Sequence, residues 1–586
     1  MPVSCVNVII IVIVVSKEVF MEDLLLEPLQ YYEAYGRQEF KKNAIGHFDS
    51  LLKTSEIDLE ANRSTVEKYD NENKIIDKLK QQISAKKLWR ALLITGIFAG
   101  IILVVLAFTE ELIYLLPIGV FLIILGFGLI FGKLNKDIAR VSATKDEHIA
   151  KASEYLREAN EQMAPLNALF DDLDTFRLIE KTIPDFTFDE RFSKDREEFL
   201  IRMHDFIDLN NDKSSVTNTL SGSFRGNPFV IFRRYICEMS AETYHGSLTI
   251  SWTETYRDSN GNLQTRTRTQ TLHASVTKPK PIYYFKNQLG YGCQAAPDLS
   301  FSRTPKHSER LSESALERKV RRGGRKLQRR TQKATNTGSG FQEMANTEFE
   351  VLLGATDRNH EVQFRLMYTP LAQKNTVALL TSRTGYGDDF YFNKCCRYNI
   401  ITCEHMQNTD LRTDASIYRS HSADLARLKF LDFTTNYFKS IFFAFAPLFA
   451  IPAYMEEPCA SMEPIDDYLS NYTYYEHEIM ANLIGEAHFA PADAATGVIL
   501  KSHHSSKQGN TDRVTVTAHS YSAHSRVDYV PVLGGDGHYH NVPVYWTEYL
   551  PTSASGSMLV GDAAKSSQSF ASTDACYHGL KAKTIY

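Results

Sequence analysis

ALLITGIFAGIILVVLAF (Ala91–Phe108) and LIYLLPIGVFLIILGFGLIFG (Leu112–Gly132) contain no charged residue, and only Thr109, Glu110 and Glu111 lie between them. Each is close to the roughly 20 apolar residues that a helix needs to cross a bilayer, so the pair reads as a tight transmembrane hairpin. Gly96 and Gly100 form GxxxG in the first helix, and Gly128 and Gly132 repeat the spacing in the second. Small residues at this interval let helix backbones approach, and these four are the expected helix-packing positions. Lys86, Lys87 and Arg90 precede the first span, Lys133, Lys136 and Arg140 follow the second, and the turn between is acidic. By the positive-inside rule both termini are cytoplasmic and only the turn reaches across.

Outward from the hairpin, the apolar pattern continues as helix. Ile45, Phe48, Leu52, Leu59, Val66, Tyr69, Ile76 and Ile83 fall on alternating three- and four-residue steps. Leu134, Ile138, Val141, Ala152, Ala159, Met163, Leu166, Phe170 and Leu173 do the same on the far side. Heptads on both arms predict an antiparallel coiled-coil stalk over 21–183, roughly 60 Å long at 1.5 Å per residue. Ser55, Asn62, Asn73 and Lys80 interrupt the seam, which limits wrong registers. Pro165 marks a kink in the second arm and Pro184 its end. Residues 1–20 carry a run, Val6–Val15, too short to span a bilayer and without a cleavage site. They read as a mis-assigned start before Met21 or as an interfacial anchor.

A chain of 586 residues holds more than one domain. A net charge of −5 sets up no global field for nucleic acid. Eight scattered cysteines with no CxxC pair point to a reducing compartment.

From Ser214 the period changes to two. The stretch Ser247–Val276 reads as a long β-hairpin turning at Asn260-Gly261. A two-residue turn there places Leu248, Ile250, Trp252, Tyr256 and Leu263 on one face, and Thr253, Thr255, Arg257, Gln264, Arg266 and Arg268 on the other. Arg257, Arg266 and Arg268 are thus candidate partner contacts. ERKVRRGGRKLQRRTQK (Glu317–Lys333) carries nine positive charges, with Arg318, Arg322, Lys326 and Arg330 in one four-residue series and Arg321, Arg325 and Arg329 in another. A basic helix lacking interleaved aromatics favours anionic lipid headgroups over nucleic acid.

FQEMANTEFEVLLGATDRNHEVQFRLMYTPLA (Phe341–Ala372) reads as strand, turn, strand and a helical continuation. Glu348-Phe349-Glu350, Asp357, Glu361, Phe364-Arg365-Leu366 and Thr369-Pro370 resemble an uncharacterised bacterial family (a domain of unknown function) of two-span membrane proteins with a cytosolic α+β domain. The resemblance covers about a third of the chain, implies architecture and brings no catalytic residues. The long hairpin, the basic run and the histidine-rich end depart from its pattern.

TGYGDDF (Thr384–Phe390) combines the look of a potassium-channel filter with that of a polymerase metal loop. A filter needs flanking spans, and a two-metal site needs a second acidic strand; neither is present, so the segment reads as a turn between strands. Ile441–Met455, broken by Pro447 and Pro452, reads as a buried or interfacial helix.

Candidate chemistry is sparse. Asp208, Asn210 and Asp212 imitate a calcium loop but lack its Gly and its bidentate Glu. Cys395, Cys396, Cys403 and His405 match no ordinary zinc spacing. Arg513–Leu550 reads as three strands, the last two joined around GGDG. His519, His538 and His540, with Asp536 or Glu548, are candidates for a metal or acid–base site. No metal and no cofactor is expected from any other motif.

The fold class expected is α+β: a transmembrane helical hairpin with an antiparallel coiled-coil stalk and a β-rich cytosolic body. The body divides into a β-rich module (184–305), a basic linker (306–340), an α+β module (341–470), a His-rich β module (471–550) and a Ser/Ala/Gly-rich tail (551–586). The expected function is a multi-pass cell inner-membrane scaffold. Its expected partners are anionic lipids, an unknown cytosolic protein and a second copy of itself. The alternative is a metal-assisted hydrolase using His519, His538 and His540.

Overall fold

The computed structural model describes residues 25–109, 113, 116–208, 210–257, 262–338, 340–456, 470–562 and 574–585. They mix helix and sheet in an α+β arrangement and form two compact units. One comprises Met1–Phe40, Phe176–Arg412 and Tyr437–Tyr586; the other comprises Lys41–Thr175 and Thr413–Asn436.

The second unit contains the apolar helices. Helix Leu59–Thr109 pairs antiparallel with helix Leu116–Leu129 and, after a π-helical turn at Ile130–Leu134, with helix Asn135–Leu169. Polar cross-links hold one register: Lys86 Nζ to Asp137 at 3.3 Å, His148 Nδ1 to Glu72 at 2.5 Å, and Asn62 Nδ2 to Gln162 at 3.4 Å. The first arm is broken where one continuous seam was expected. Helix Arg37–Ser55 stops, Glu56 takes φ 51°, and Asp58 Oδ1 accepts from the amides of Glu60 and Ala61 to start a new helix. Ile45, Phe48 and Leu52 therefore belong to a separate helix. Phe48 packs instead with Phe170 and Phe430. The second arm ends at Leu169, with Pro165 inside it, and Pro184 follows a different helix, Asp174–Thr182.

Both helices are long and apolar enough to cross a membrane, and only 17% of each apolar window is buried. A soluble core helix would be covered on most of its surface. Here Phe98, Phe108, Phe121, Ile124 and Phe131 are all more than 60% exposed. The glycines that make the helix contact differ from those expected. A Cβ on Gly100 would meet the Gly119 carbonyl at 2.9 Å, one on Gly119 the Gly100 carbonyl at 2.8 Å, and one on Gly126 the Ile97 side chain at 2.5 Å. Gly96, Gly128 and Gly132 have nothing within 4 Å. Of the four expected packing glycines only Gly100 packs, because helix rotation, not GxxxG spacing alone, selects the contact line.

The first unit is built on two antiparallel sheets. The strands are β1 (Phe186–Phe188), β2 (Ser214–Phe224), β3 (Asn227–Arg257), β4 (Leu263–Gly292), β5 (Ser300–Arg303), β6 (Phe390–Cys395), β7 (Tyr398–Cys403), β8 (Ile499–Gln508), β9 (Thr511–Leu533), β10 (Tyr539–Asp562), β11 (Ala575–Tyr577) and β12 (Leu580–Ile585). Their order is β1-β2-β3-β4-β7-β6-β5 in one sheet and β11-β12-β10-β9-β8 in the other. The first sheet joins segments on both sides of residue 340, which the linear reading placed in separate modules. The stretch read as three strands is two, since β9 runs unbroken from Thr511 to Leu533. Much of the expected tail is also strand: Pro551–Asp562 completes β10, whose Met558 and Val560 are fully buried in a hydrophobic core.

The main core lies where helix Tyr474–Ile484 meets both sheets, gathering Val216, Phe232, Ile479, Met480, Leu500, Val516 and Val560. On another side Phe445 and Phe449 pack against Phe186, Phe224 and Phe229, so Ile441–Phe449 is a buried helical segment.

β3/β4 and β9/β10 extend beyond this core as two long ribbons stacked on each other. Leu272, Ala274, Val542 and Val544 are buried between them, and a Cβ on Gly246 would lie 2.1 Å from the Pro543 carbonyl. The expected turn at Asn260-Gly261 lies outside the described residues, but the pairing on either side of it is clear. Arg257 pairs with Leu263, Glu254 with Arg266 and Trp252 with Arg268. This is one residue away from the register of a two-residue turn, and such a shift moves a whole strand to the other face. Gln264, Arg266 and Arg268 therefore share the face of Leu248, Ile250, Trp252 and Tyr256, while Leu263 sits opposite with Arg257.

Residues 341–372 carry helices where two strands were expected. They form helices Thr347–Leu353 and Glu361–Met367, followed by Pro370–Thr381. Asn346, His360 and Thr369 each accept an amide hydrogen bond as N-caps, and Pro370 occupies the first turn of the last helix.

The TGYGDDF segment, expected between two strands, instead links helix Pro370–Thr381 to β6, with Gly387 at φ 68°.

Candidate anion-binding groove

The basic run forms one helix, Glu313–Thr337, started by Ser312, whose side chain accepts from the Ala315 amide. Its two central glycines cost about 1 kcal/mol each relative to Ala in a helix interior. The packing offsets this. A Cβ on Gly323 would lie 2.5 Å from Val351 Cγ1, and one on Gly324 would lie 2.8 Å from Thr347 Cγ2. Gly323-Gly324 thus lets the basic helix press on helix Thr347–Leu353, with Leu327 and Ala334 buried on the same side.

This docking leaves a groove of about 790 Å³ along the helix. Arg318, Arg322, Lys326 and Arg330, the first four-residue series of the sequence, line it. The loop before the helix adds Lys306, and the helix itself adds Lys319. Arg321, Arg325 and Arg329 are exposed and do not line it. Sequence reasoning missed Lys306, because it lies before the run in an unremarkable TPKH stretch, and set no role on Lys319.

The groove is strongly cationic. Among the described residues no carboxylate pairs with Arg318, Arg321, Arg322, Arg325, Lys326 or Arg329; Arg318 donates Nε only to the Ser314 carbonyl, at 3.0 Å. Arg330 is held by Thr356, with Nη1 3.1 Å from its Oγ1 and Nη2 2.5 Å from its carbonyl. Glu350, at the groove wall, is consumed by the buried Arg358. Burial first, then the charge of Arg303, pulls Lys306 down to about 8, and burial likewise pulls Lys319 down. Nothing in the groove offers a nucleophile beside a base. What it can do is bind an extended or multivalent anion through several point charges.

The other expected contacts are placed differently. Arg266 Nη2 and Arg268 Nε reach the same Glu254 carboxylate at 2.8 and 2.6 Å, and Arg266 also lies over the Tyr256 ring. They form a cross-strand ladder on the ribbon. Arg257 is exposed on the opposite face, so the three do not act together.

The histidines are not brought together either. His519 pairs with Ser553, whereas His540 pairs with Val532, thirteen positions farther along β9 and so about 40 Å away. His540 Nε2 is 2.9 Å from Asp536, closing the β9–β10 turn; His538 is exposed; Glu548 is paired with Arg526. Within the chain, this register keeps His519 from meeting His538 and His540.

Comparisons of the chain with protein-family models, with curated proteins and with solved structures give no match.

Proposed function

We propose that this chain is a multi-pass inner-membrane protein that anchors a β-rich cytosolic body through a helical hairpin and presents it to partners. The observation that carries the reading is the apolar surface left uncovered on residues 88–108 and 116–131, of a kind that soluble chains rarely expose to water. The arms flanking the hairpin act as an antiparallel coiled-coil stalk, supported by the polar cross-links between them. Both termini lie in the cytoplasm, in keeping with the basic flanks of the hairpin. The two-span architecture is that of the uncharacterised family whose residues the 341–372 segment resembles. Gly128 and Gly132, open within one chain, offer a line for a second copy.

Reporter fusions test the topology. The carboxyl end is expected to report cytoplasm, and the Thr109–Glu111 turn the opposite side. A carboxyl end on the far side would sink the reading.

The cationic groove steadies the body on anionic lipid headgroups, each basic side chain near such a surface contributing about 1 kcal/mol. Changing Arg318, Arg322 and Lys326 to Gln is expected to lower the affinity of the detergent-solubilised chain for phosphatidylserine-containing nanodiscs by about 100-fold at low salt. Affinity for neutral nanodiscs is expected to stay the same. Equal loss on both surfaces would count against the lipid assignment.

A further inference from the structure

The second aspartate of TGYGDDF has a partner that spacing does not reveal. Asp389, Cys403 and His405 each turn one ligand atom toward the others, and these atoms all lie within 4.8 Å of one another. The cluster is enclosed: Asp389 and Cys403 are buried, and the His405 side chain is only 5% exposed. His405 Nδ1 faces the Asp389 carboxylate at 2.5 Å, while Nε2 faces the Ser440 carbonyl at 3.1 Å. Tyr386 stacks on the imidazole, with ring centroids 3.8 Å apart and planes 4° from parallel.

We propose that Asp389, Cys403 and His405 bind a divalent zinc-type cation as a structural site. Thiolate, imidazole and carboxylate form a donor set that suits zinc, and their charges balance a divalent ion. The outer contacts have the form that metal-ligating histidines use: one nitrogen turned to the ion, the other donating to a backbone carbonyl, here Ser440. Asp389 Oδ2 also accepts from the His405 amide at 3.1 Å, which fixes the carboxylate in place.

A cavity of about 10 Å³ abuts Asp389, about enough for one water and too small for a substrate. Asp389, Cys403 and His405 would supply three of the four ligands that a tetrahedral zinc site takes. On binding, the Cys403 thiol proton and the proton on His405 Nδ1 leave to solvent, and the ion takes their place. The consequence is mechanical: one ion ties the Tyr386–Asp389 loop to the end of β7.

The test uses untagged full-length chain in detergent, stripped with chelator and titrated with zinc or cobalt(II). The expected result is about one equivalent bound with release of protons, and a sulfur-to-cobalt charge-transfer band in the cobalt form. Asp389→Asn and Cys403→Ser are expected to weaken zinc binding at least 100-fold. The wild-type spectrum stands independently of whether the variants fold. Folded wild-type chain that binds no zinc, or a cobalt form lacking the sulfur band, would overturn the proposal and leave a proton shared by Asp389 and His405 as the only occupant. Zinc retained unchanged in folded Cys403→Ser would overturn it too.

Discussion

Arg303→Met is expected to destabilise the folded chain by about 3–5 kcal/mol, a large fraction of the net stability of an ordinary domain. Arg303 and Asp388 form an ion pair in which both side chains are completely buried. Nη1 of Arg303 also donates to the Phe390 carbonyl at 3.0 Å, and the guanidinium lies over the Phe390 ring. Asp388 in turn accepts from the Ser308 hydroxyl at 2.7 Å and from the Ser308 amide at 3.2 Å. Removing the guanidinium leaves the buried Asp388 carboxylate without its directly paired cation, which costs far more than losing a surface pair. Thermal unfolding of the detergent-solubilised chain should show a drop of about 5–10 °C. Arg303→Met with Asp388→Leu should recover part of it, because the double change no longer buries a lone charge. An unchanged melting temperature in the single variant would mean that the pair is hydrated.

The second large effect depends on pH. Glu476 is fully buried in the capping box of helix Tyr474–Ile484, accepting from the Thr473 amide at 2.7 Å. Burial pushes its carboxyl up to about 7, against the opposing pull of Arg191 at 3.5 Å. Its ordinary value is 4.5, so between about pH 4.5 and 7 the folded chain keeps a proton that the unfolded chain releases. The folded state then binds more protons, and stability falls as pH rises through that window. The full cost, about 3 kcal/mol, is present above pH 7. Glu476→Gln keeps the capping oxygen and cannot ionise. It is expected to be more stable than wild type at pH 8 by up to that amount, and equal to it only below about pH 4. Comparing the two chains at each pH removes the parallel contribution of Glu478, which burial also raises. A variant less stable than wild type at pH 8 would show that the Arg191 pair outweighs the burial.

What could be read from the sequence was what is local. Uncharged runs of the right length declare apolar helices whatever surrounds them. Nine cations at helical spacing declare a basic helix. The errors arose where geometry at a distance decides. The face on which Arg266 and Arg268 lie depends on a strand register one residue away from that of the shortest turn. Which glycines pack depends on the rotation of two helices, so Gly119 and Gly126 replace Gly96, Gly128 and Gly132. Helix Thr347–Leu353 was legible in principle, since Asn346 stands at its cap and Gly354 takes φ 75° at its end. An alternation of apolar residues concealed it. Asp389 and His405 meet only because β6 and β7 are antiparallel neighbours, which no spacing rule between them would suggest.

The β3/β4 ribbon holds one register from Phe229↔Tyr291 to Arg257↔Leu263, with its second layer pressed close at Gly246. A single codon added to either strand would invert every side chain beyond it, exposing the apolar face and turning the threonine-rich one inward. The ribbon can lengthen or shorten in descendants only when two residues enter or leave both strands together. Its reach is thus inherited in discrete steps, and the stacked ribbon must change in step wherever the two still touch.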